Sequence, residues 1–216
     1  MKEFVVIGLG NFGATVAREL TTLKCKVTAI DISTARVEAL QDEVHIAIVA
    51  DAAERKFLDN LEVEKFDCFV VSTGVDSHAS ILIALHLHEL KAKQVIVKAN
   101  SDDHAKILRK VGADQAIIPE EQMAVRLSHS LAQSNLIDYL PLASDHYVAE
   151  LVPPESFIGK SLSELRLRVQ YNIQVIAVKS KWTGEYNLVP GGDFKISDTD
   201  VLVVLGKGKD IEKIKQ

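Results

Sequence analysis

Three glycines, Gly8, Gly10 and Gly13, stand directly behind the apolar run Phe4-Val5-Val6-Ile7 in the order G-x-G-x-x-G, with Leu9, Asn11 and Phe12 between them. The first two glycines permit a tight turn and close approach of backbone to a phosphate. The third lets the following helix lie against the strand. The N–H groups at that helix start lack intrahelical partners and face the anion. Asp31, followed by Ile32, closes the next strand-like run. An acid about 20 residues past such a loop accepts hydrogen bonds from ribose hydroxyls and repels a 2′-phosphate. The pattern therefore predicts a dinucleotide or mononucleotide site that prefers NAD-type or adenosine ligands to NADP.

Other residues fall at strand ends where they could join that site. Asp51 and Ala52 follow the third run, in VADAAE. Asp51 is placed to meet an adenine ring or to cap a helix beginning near Ala53. Thr73 and Gly74 end the fourth run and should line the same crevice. Lys98 ends the fifth, where it reaches a phosphate or snorkels to the sheet edge. Glu120 and Glu121 open a long helix behind Pro119. They suit the helix dipole, and Glu120 could hold a cation beside bound phosphates. For catalysis the pattern is poor. Of seven histidines only His78, near a helix start at the crevice, is a tolerable proton donor or acceptor, and a surface role accounts for it better. His86 and His88 are two apart on a helix and point to different faces. The two cysteines, Cys25 and Cys68, form no C-x-x-C, so neither zinc nor a disulfide framework is expected. Cys68 reads as a small buried hydrophobe.

The elements that must position these groups follow from periodicity. Strand-like runs cover 3–8, 26–31, 44–50, 67–73, 94–99 and 115–119. They are continuously apolar, as strands covered on both faces of a parallel sheet are. Helical patterns lie between them: Asn11 to Thr22, a segment capped by Ser33 and running to Leu40, Ser77 to Leu90, and Asp102 to Val111 ending at Gly112. This alternation predicts a Rossmann-like doubly wound α/β fold. Glu120 to about Leu136 reads as one long helix, broken by DYLPLASD with its Pro141. The rest carries strands in YVAELVPP, IQVIAVKS and DVLVVLG, a short helix from Ser161 to Leu167, and turn chemistry in GEYNLVPGGD. The expected division is a nucleotide-binding lobe over 1–119, a crossover and dimerisation region over 120–140, and a small α+β lobe over 141–216.

The 216 residues are 47% hydrophobic, with mean hydropathy +0.10, which supports a sizeable core. Net charge is −5, so no duplex-binding surface and no nucleic-acid partner is expected. Lys207, Lys209, Lys213 and Lys215, interleaved with Asp210 and Glu212, read as a solvated terminal helix. The chain enters a strand at once and has no apolar run of about 18 residues. A cytosolic protein is expected, with any membrane role reached through a partner.

In combination, GLGNFG, Asp31, VADA, VKAN (97–100) and especially VGADQAIIPE (111–120) resemble the cytosolic gating subunits of bacterial potassium uptake systems, the KtrA/KtrC and TrkA proteins built on the RCK domain. The likeness covers the whole chain, and a single copy of the unit fits the Ktr type. The resemblance implies a regulatory subunit rather than an enzyme. Two copies would pair, and the pairs would assemble into an octameric ring under a KtrB-type membrane K⁺ translocating subunit. ATP and ADP would compete for the glycine-loop site, with NAD(H) also able to enter. Gly8, Gly10 and Gly13 match the family's phosphate loop, Asp31 its ribose ligand, Asp51 and Ala52 its adenine-side segment, and Lys98 a phosphate contact. Glu120 matches an acid near the γ-phosphate that can hold a divalent or monovalent cation. Arg168 and Pro190 match small-lobe positions used to bind cyclic di-AMP, and Gln174 stands where asparagine is common. Asn11 stands where close relatives carry an arginine that reaches the γ-phosphate. Asparagine supplies neither its charge nor its fork, which moves the expectation towards ADP, AMP or NAD(H). Two alternatives share the loop: an NAD-dependent oxidoreductase, which the missing substrate domain argues against, and a regulatory subunit of a K⁺ efflux system or cation antiporter.

Overall fold

The computed structural model describes residues 1–132, 134–143 and 145–214. The chain forms two compact units, Met1–Pro119 and Glu120–Gln216.

The first unit is a six-stranded sheet of β1 (Glu3–Ile7), β2 (Lys26–Asp31), β3 (Ile46–Val49), β4 (Cys68–Val71), β5 (Val95–Lys98) and β6 (Gln115–Ile117). Its order is β3-β2-β1-β4-β5-β6, and every neighbouring pair is parallel. The intervening helices are α1 (Asn11–Thr22), α2 (Thr34–Glu38), α3 (Arg55–Asp59), α4 (Ser77–Glu89) and α5 (Asp102–Lys110). Alternate residues of β1 explain the uninterrupted apolar runs. Val5 and Ile7 join Phe69, Ile83, Leu87 and Leu108 in one buried cluster. Val6 joins Ala14, Ala17 and Ala29 in another. Both faces of the sheet are covered, as the sequence pattern requires. Cys68 lies in the second cluster, and burial pushes its thiol up to about 11. The chain moves outward from β1 to β3 and then returns to β4, so the order reverses between β1 and β4. In open α/β sheets the ligand crevice lies at that switch, beyond the carboxyl ends of the strands.

The second unit begins with α6 (Pro119–Ala132), which opens at the boundary, and holds a five-stranded antiparallel sheet. Its strands are β7 (Leu136–Ala143), β8 (His146–Leu151), β9 (Gln174–Ser180), β10 (Tyr186–Leu188) and β11 (Asp200–Lys207), in the order β10-β9-β11-β8-β7. Short helices α7 (Leu162–Leu165) and α8 (Leu167–Gln170) precede β9, and α9 (Gly208–Ile211) follows β11. Ser161 and Glu164 form a reciprocal capping box at α7.

Four local expectations differ from this structure. The segment DYLPLASD, read as a break, supplies most of β7. Leu136 and Tyr139 are buried there, and Pro141 is tolerated because β7 is an edge strand. The long helix stops at Ala132, short of Leu136. Buried Asn135 leaves the helix to donate from its side-chain amide to the Ile214 carbonyl at 2.8 Å. The turn-rich GEYNLVPGGD contains the short strand β10. The lysine-rich tail is not a wholly solvated helix, because Lys207 ends β11 and α9 buries Asp210 and Ile211. Lys215 lies outside the described residues.

Candidate functional site

The glycine loop joins β1 to α1. Gly8 has φ +88°, and a Cβ there would lie 2.1 Å from the Ser72 carbonyl oxygen. At Gly13 a Cβ would lie 1.9 Å from the Gly8 carbonyl oxygen. Packing alone demands glycine at both positions. Gly10 is different. Its φ is an ordinary −68°, and nothing lies within 4 Å of where its Cβ would be. The protein has no internal need for glycine there. The open space lies over the start of α1, whose first N–H groups have no intrahelical acceptors. An anion can reach them only if that space stays clear.

Asp31 is 4% exposed. Its Oδ2 accepts from the Leu9 N–H at 2.6 Å and its Oδ1 from the Ser33 N–H at 2.8 Å, while Arg36 Nη1 stands 3.5 Å from Oδ2. The carboxylate therefore ties the glycine loop to the end of β2. Oδ2 is taken up by Leu9 and Arg36, and Oδ1 keeps a further lone pair for a ribose hydroxyl. A cleft of about 290 Å³ opens beside it and brings together Gly8, Asp31, Ile32, Asp51, Ala52 and Thr73. Ile32 is largely exposed, an apolar rim suited to the face of a base. Asp51 does not cap a helix. It accepts from the Ala53 N–H at 2.9 Å, and α3 starts later, after Glu54.

The other expected residues lie around this cleft or away from it. Leu9 is buried in the loop. Asn11 is the exposed first residue of α1, and Phe12, its second, packs against the apolar cluster that holds Val6 and Ala29. Gly74, with φ +68°, sits in the turn after β4. Half-buried Lys98 ends β5 and is not among the cleft-lining residues, and exposed Glu120 lies in the second unit; each engages other residues.

Sequence reasoning missed Arg36 and Asp76, which line the cleft, and buried His104, which bonds to the start of α4. Asp76 was legible as the cap of α4, since its side chain accepts from the Ala79 N–H. Arg36 is recognisable only once α2 is known to turn its first residues towards the cleft. His78 lines the cleft but has no hydrogen-bond or ion-pair partner among the described residues, so no carboxylate orients it as a general base. His104 is buried between the starts of α4 and α5. Ser80 Oγ donates to the Ser77 carbonyl at 2.9 Å and so accepts from His104 Nε2 at 3.1 Å, while Nδ1 accepts from the Asn100 N–H at 3.2 Å. Burial holds its pKa below the ordinary histidine value.

The second unit has its own groove, of about 320 Å³, which brings together Arg168, Gln174 and Pro190 and adds Arg166. Next to Pro190, Val189 has φ +50°, a strained conformation for a β-branched residue. Among the described residues no group of three or more His, Cys, Asp or Glu side chains is placed to hold a metal ion, and no helix is long and apolar enough to cross a membrane.

A parallel sheet reversed at β1/β4, a glycine loop open at Gly10 and a buried acid ending β2 define a Rossmann-type nucleotide-binding fold, here joined to a separate antiparallel lobe. Residues 4–119 match the TrkA-N domain and residues 147–216 the TrkA-C domain. The chain belongs to the TrkA family, carrying both of its domains. It is 35% identical over 215 residues to Ktr system potassium uptake protein C of Bacillus subtilis, covering 100% of this chain and 96% of that one. Ktr system potassium uptake protein A of the same organism is 34% identical, covering 98% and 95%, and the protein of that name in Vibrio alginolyticus is 34% identical, covering 95% and 92%. Among solved structures, the GsuK channel superposes with a TM-score of 0.71 at 16% identity, over 100% of this chain and 40% of that one. The GsuK channel bound to NAD gives 0.68 at 17%, over 97% and 38%. The chain thus spans less than half of those structures, and at that identity they show the fold.

Proposed function

We propose that this chain is a nucleotide-sensing regulatory subunit of a potassium uptake system, and that it binds its nucleotide without transforming it. The observation that carries the reading is Gly10, a glycine that the protein's own packing does not require, held open over a helix start beside a buried acid. Full-length likeness to Ktr potassium uptake proteins supplies the physiological setting. The ligand is an adenosine nucleotide, ATP, ADP or NAD(H); NAD is bound in one GsuK channel structure of the same fold. Residues 1–119 form the sensing lobe, 120–140 the crossover through which two copies pair, and 141–216 the small lobe. The pairs assemble into an octameric ring on the cytoplasmic face of a KtrB-type membrane subunit. Leu9, Gly10, Asn11, Phe12 and Gly74 frame the phosphates, and Lys98 reaches them. Glu120 holds a cation next to them. Arg168, Gln174 and Pro190 belong to a cyclic di-AMP site. One ligand gates the pore because it has different affinities for two ring shapes, and exchanging it shifts their populations.

The test is K⁺ uptake into vesicles carrying a Ktr-type membrane subunit with this chain added, alongside the particle mass with each nucleotide. An octamer-sized particle and a flux that changes several-fold on nucleotide exchange are expected. A stable dimer that leaves the flux unchanged and oxidises NADH with a small substrate would establish the oxidoreductase instead. Within that test, Asp31→Ala should lower adenosine-nucleotide affinity by about tenfold or more, the worth of a hydrogen bond to a charged group.

A further inference from the structure

The strand order gives the cleft two chemically different ends. β2 and β3, followed by Ile32, Arg36 and Asp51, lie on one side of β1, and β4 with its 72–76 turn lies on the other. A diphosphate over the glycine loop places its adenosine towards β2 and β3 and its other end towards β4. Among the described residues that line the cleft, the one guanidinium, Arg36, stands at the adenosine end. Between Gly10 and Gly13 the side chains are those of Asn11 and Phe12, and neither is cationic. The carboxylate at the β4 end is that of Asp76, with the imidazole of His78 also lining the cleft. Asp76 Oδ1 accepts from the Ala79 N–H at 2.9 Å, and Thr73 Oγ1 donates to the Asp76 carbonyl at 2.7 Å, which fixes the turn. Its Oδ2 has no hydrogen-bond partner among the described residues.

We infer that Asp76 makes this a dinucleotide site, in which its carboxylate accepts from the hydroxyls of a second ribose and repels a third phosphate. The inference rests on the nucleotide reading of the cleft and names the ligand class within it. A carboxylate takes hydroxyl donors well and has no proton to give a phosphate oxygen. One unit charge facing another at about 4 Å in a water-like medium changes an equilibrium by roughly fivefold. A triphosphate directs its densest charge towards Asp76, whereas a dinucleotide directs a second sugar there. ATP then needs a divalent cation to offset the repulsion, and NADH does not.

The experiment is titration of the full chain at low salt with NADH, ADP-ribose, ADP and ATP, the last two with and without Mg²⁺, for the wild type and Asp76→Asn. Asparagine keeps the helix cap. If its melting temperature shows a folding defect, Asp76→Ser, also a good cap, carries the same comparison. NADH and ADP-ribose are expected to bind the wild type at least about tenfold tighter than metal-free ATP. Asp76→Asn should weaken NADH and strengthen metal-free ATP by about fivefold, with ADP nearly unmoved. Metal-free ATP binding the wild type as tightly as NADH, or an unchanged ratio of the two in Asp76→Asn, overturns the inference and leaves nucleotide sensing standing. Failure of all four nucleotides to bind the wild type overturns both.

Discussion

The cleft of the first unit and the groove of the second offer an anion opposite chemistry. The first is lined by three carboxylates, Asp31, Asp51 and Asp76, against the single guanidinium of Arg36. The second has two arginines, Arg166 and Arg168, and no carboxylate among its described lining residues. In the first, a parallel sheet turns the strand ends and the start of α1 to the same edge, so backbone N–H groups can take the phosphates. The side chains are then free to be acidic and to select hydroxyls. The antiparallel sheet of the second gathers no such set of helix starts at one edge, and any anion held there must be met by side-chain charge. Where backbone supplies the positive end of a site, glycine matters most; where side chains supply it, arginine does.

The strongest test of that contrast is Gly13→Ala. Its Cβ would meet the Gly8 carbonyl oxygen at 1.9 Å, backbone that cannot turn aside. A loss of about 3 kcal/mol is expected, read as a fall of ~10 °C in the melting of the first unit. Gly10→Ala should separate stability from binding. It meets nothing within 4 Å, so the fold loses under about 1 kcal/mol, while adenosine-nucleotide affinity falls by about tenfold or more in calorimetry. An unchanged affinity would break the claim that backbone holds the phosphates. Arg168→Ala should do the reverse of Gly10→Ala. Cyclic di-AMP affinity is expected to fall about tenfold with NADH affinity unchanged. The smallest effect concerns acid. His104 is neutral in the fold, and burial lowers its pKa. The unfolded chain takes up a proton near pH 6.5, so stability is fully present above that value and falls as pH drops towards the folded-state pKa. A shallow fall in melting temperature below pH 6.5 is expected, and His104→Gln should flatten it.

The sequence was most informative where one physical demand fixed one residue type. Gly8 and Gly13 are dictated by backbone contacts, and uninterrupted runs such as Phe69 to Val71 by burial on both faces. Both were legible as a doubly wound sheet with a phosphate loop. Asp31 was found by spacing, but its hold on the Leu9 N–H was not, because nothing local marks a bond 22 residues distant. Asp76 and Arg36 enter the cleft only through the strand order, which periodicity does not give. Strand β7 was misread because Pro141 signals a break by default, and only an edge position in a sheet reverses that meaning. Asn135, polar in sequence, is buried by a carbonyl 79 residues away.

The contact between Gly8 and Ser72 has a mechanical consequence. The loop rests on the end of β4 backbone to backbone, with no side chain between them to change rotamer and absorb a displacement. The loop is thereby joined to the 72–76 turn and the first turn of α4, and from there Ser77 and Ser80 reach His104, and His104 reaches Asn100 just past β5, through a short chain of hydrogen bonds. The wall of the cleft and the starts of α4 and α5 are therefore one continuous frame, with no side-chain joint at Gly8.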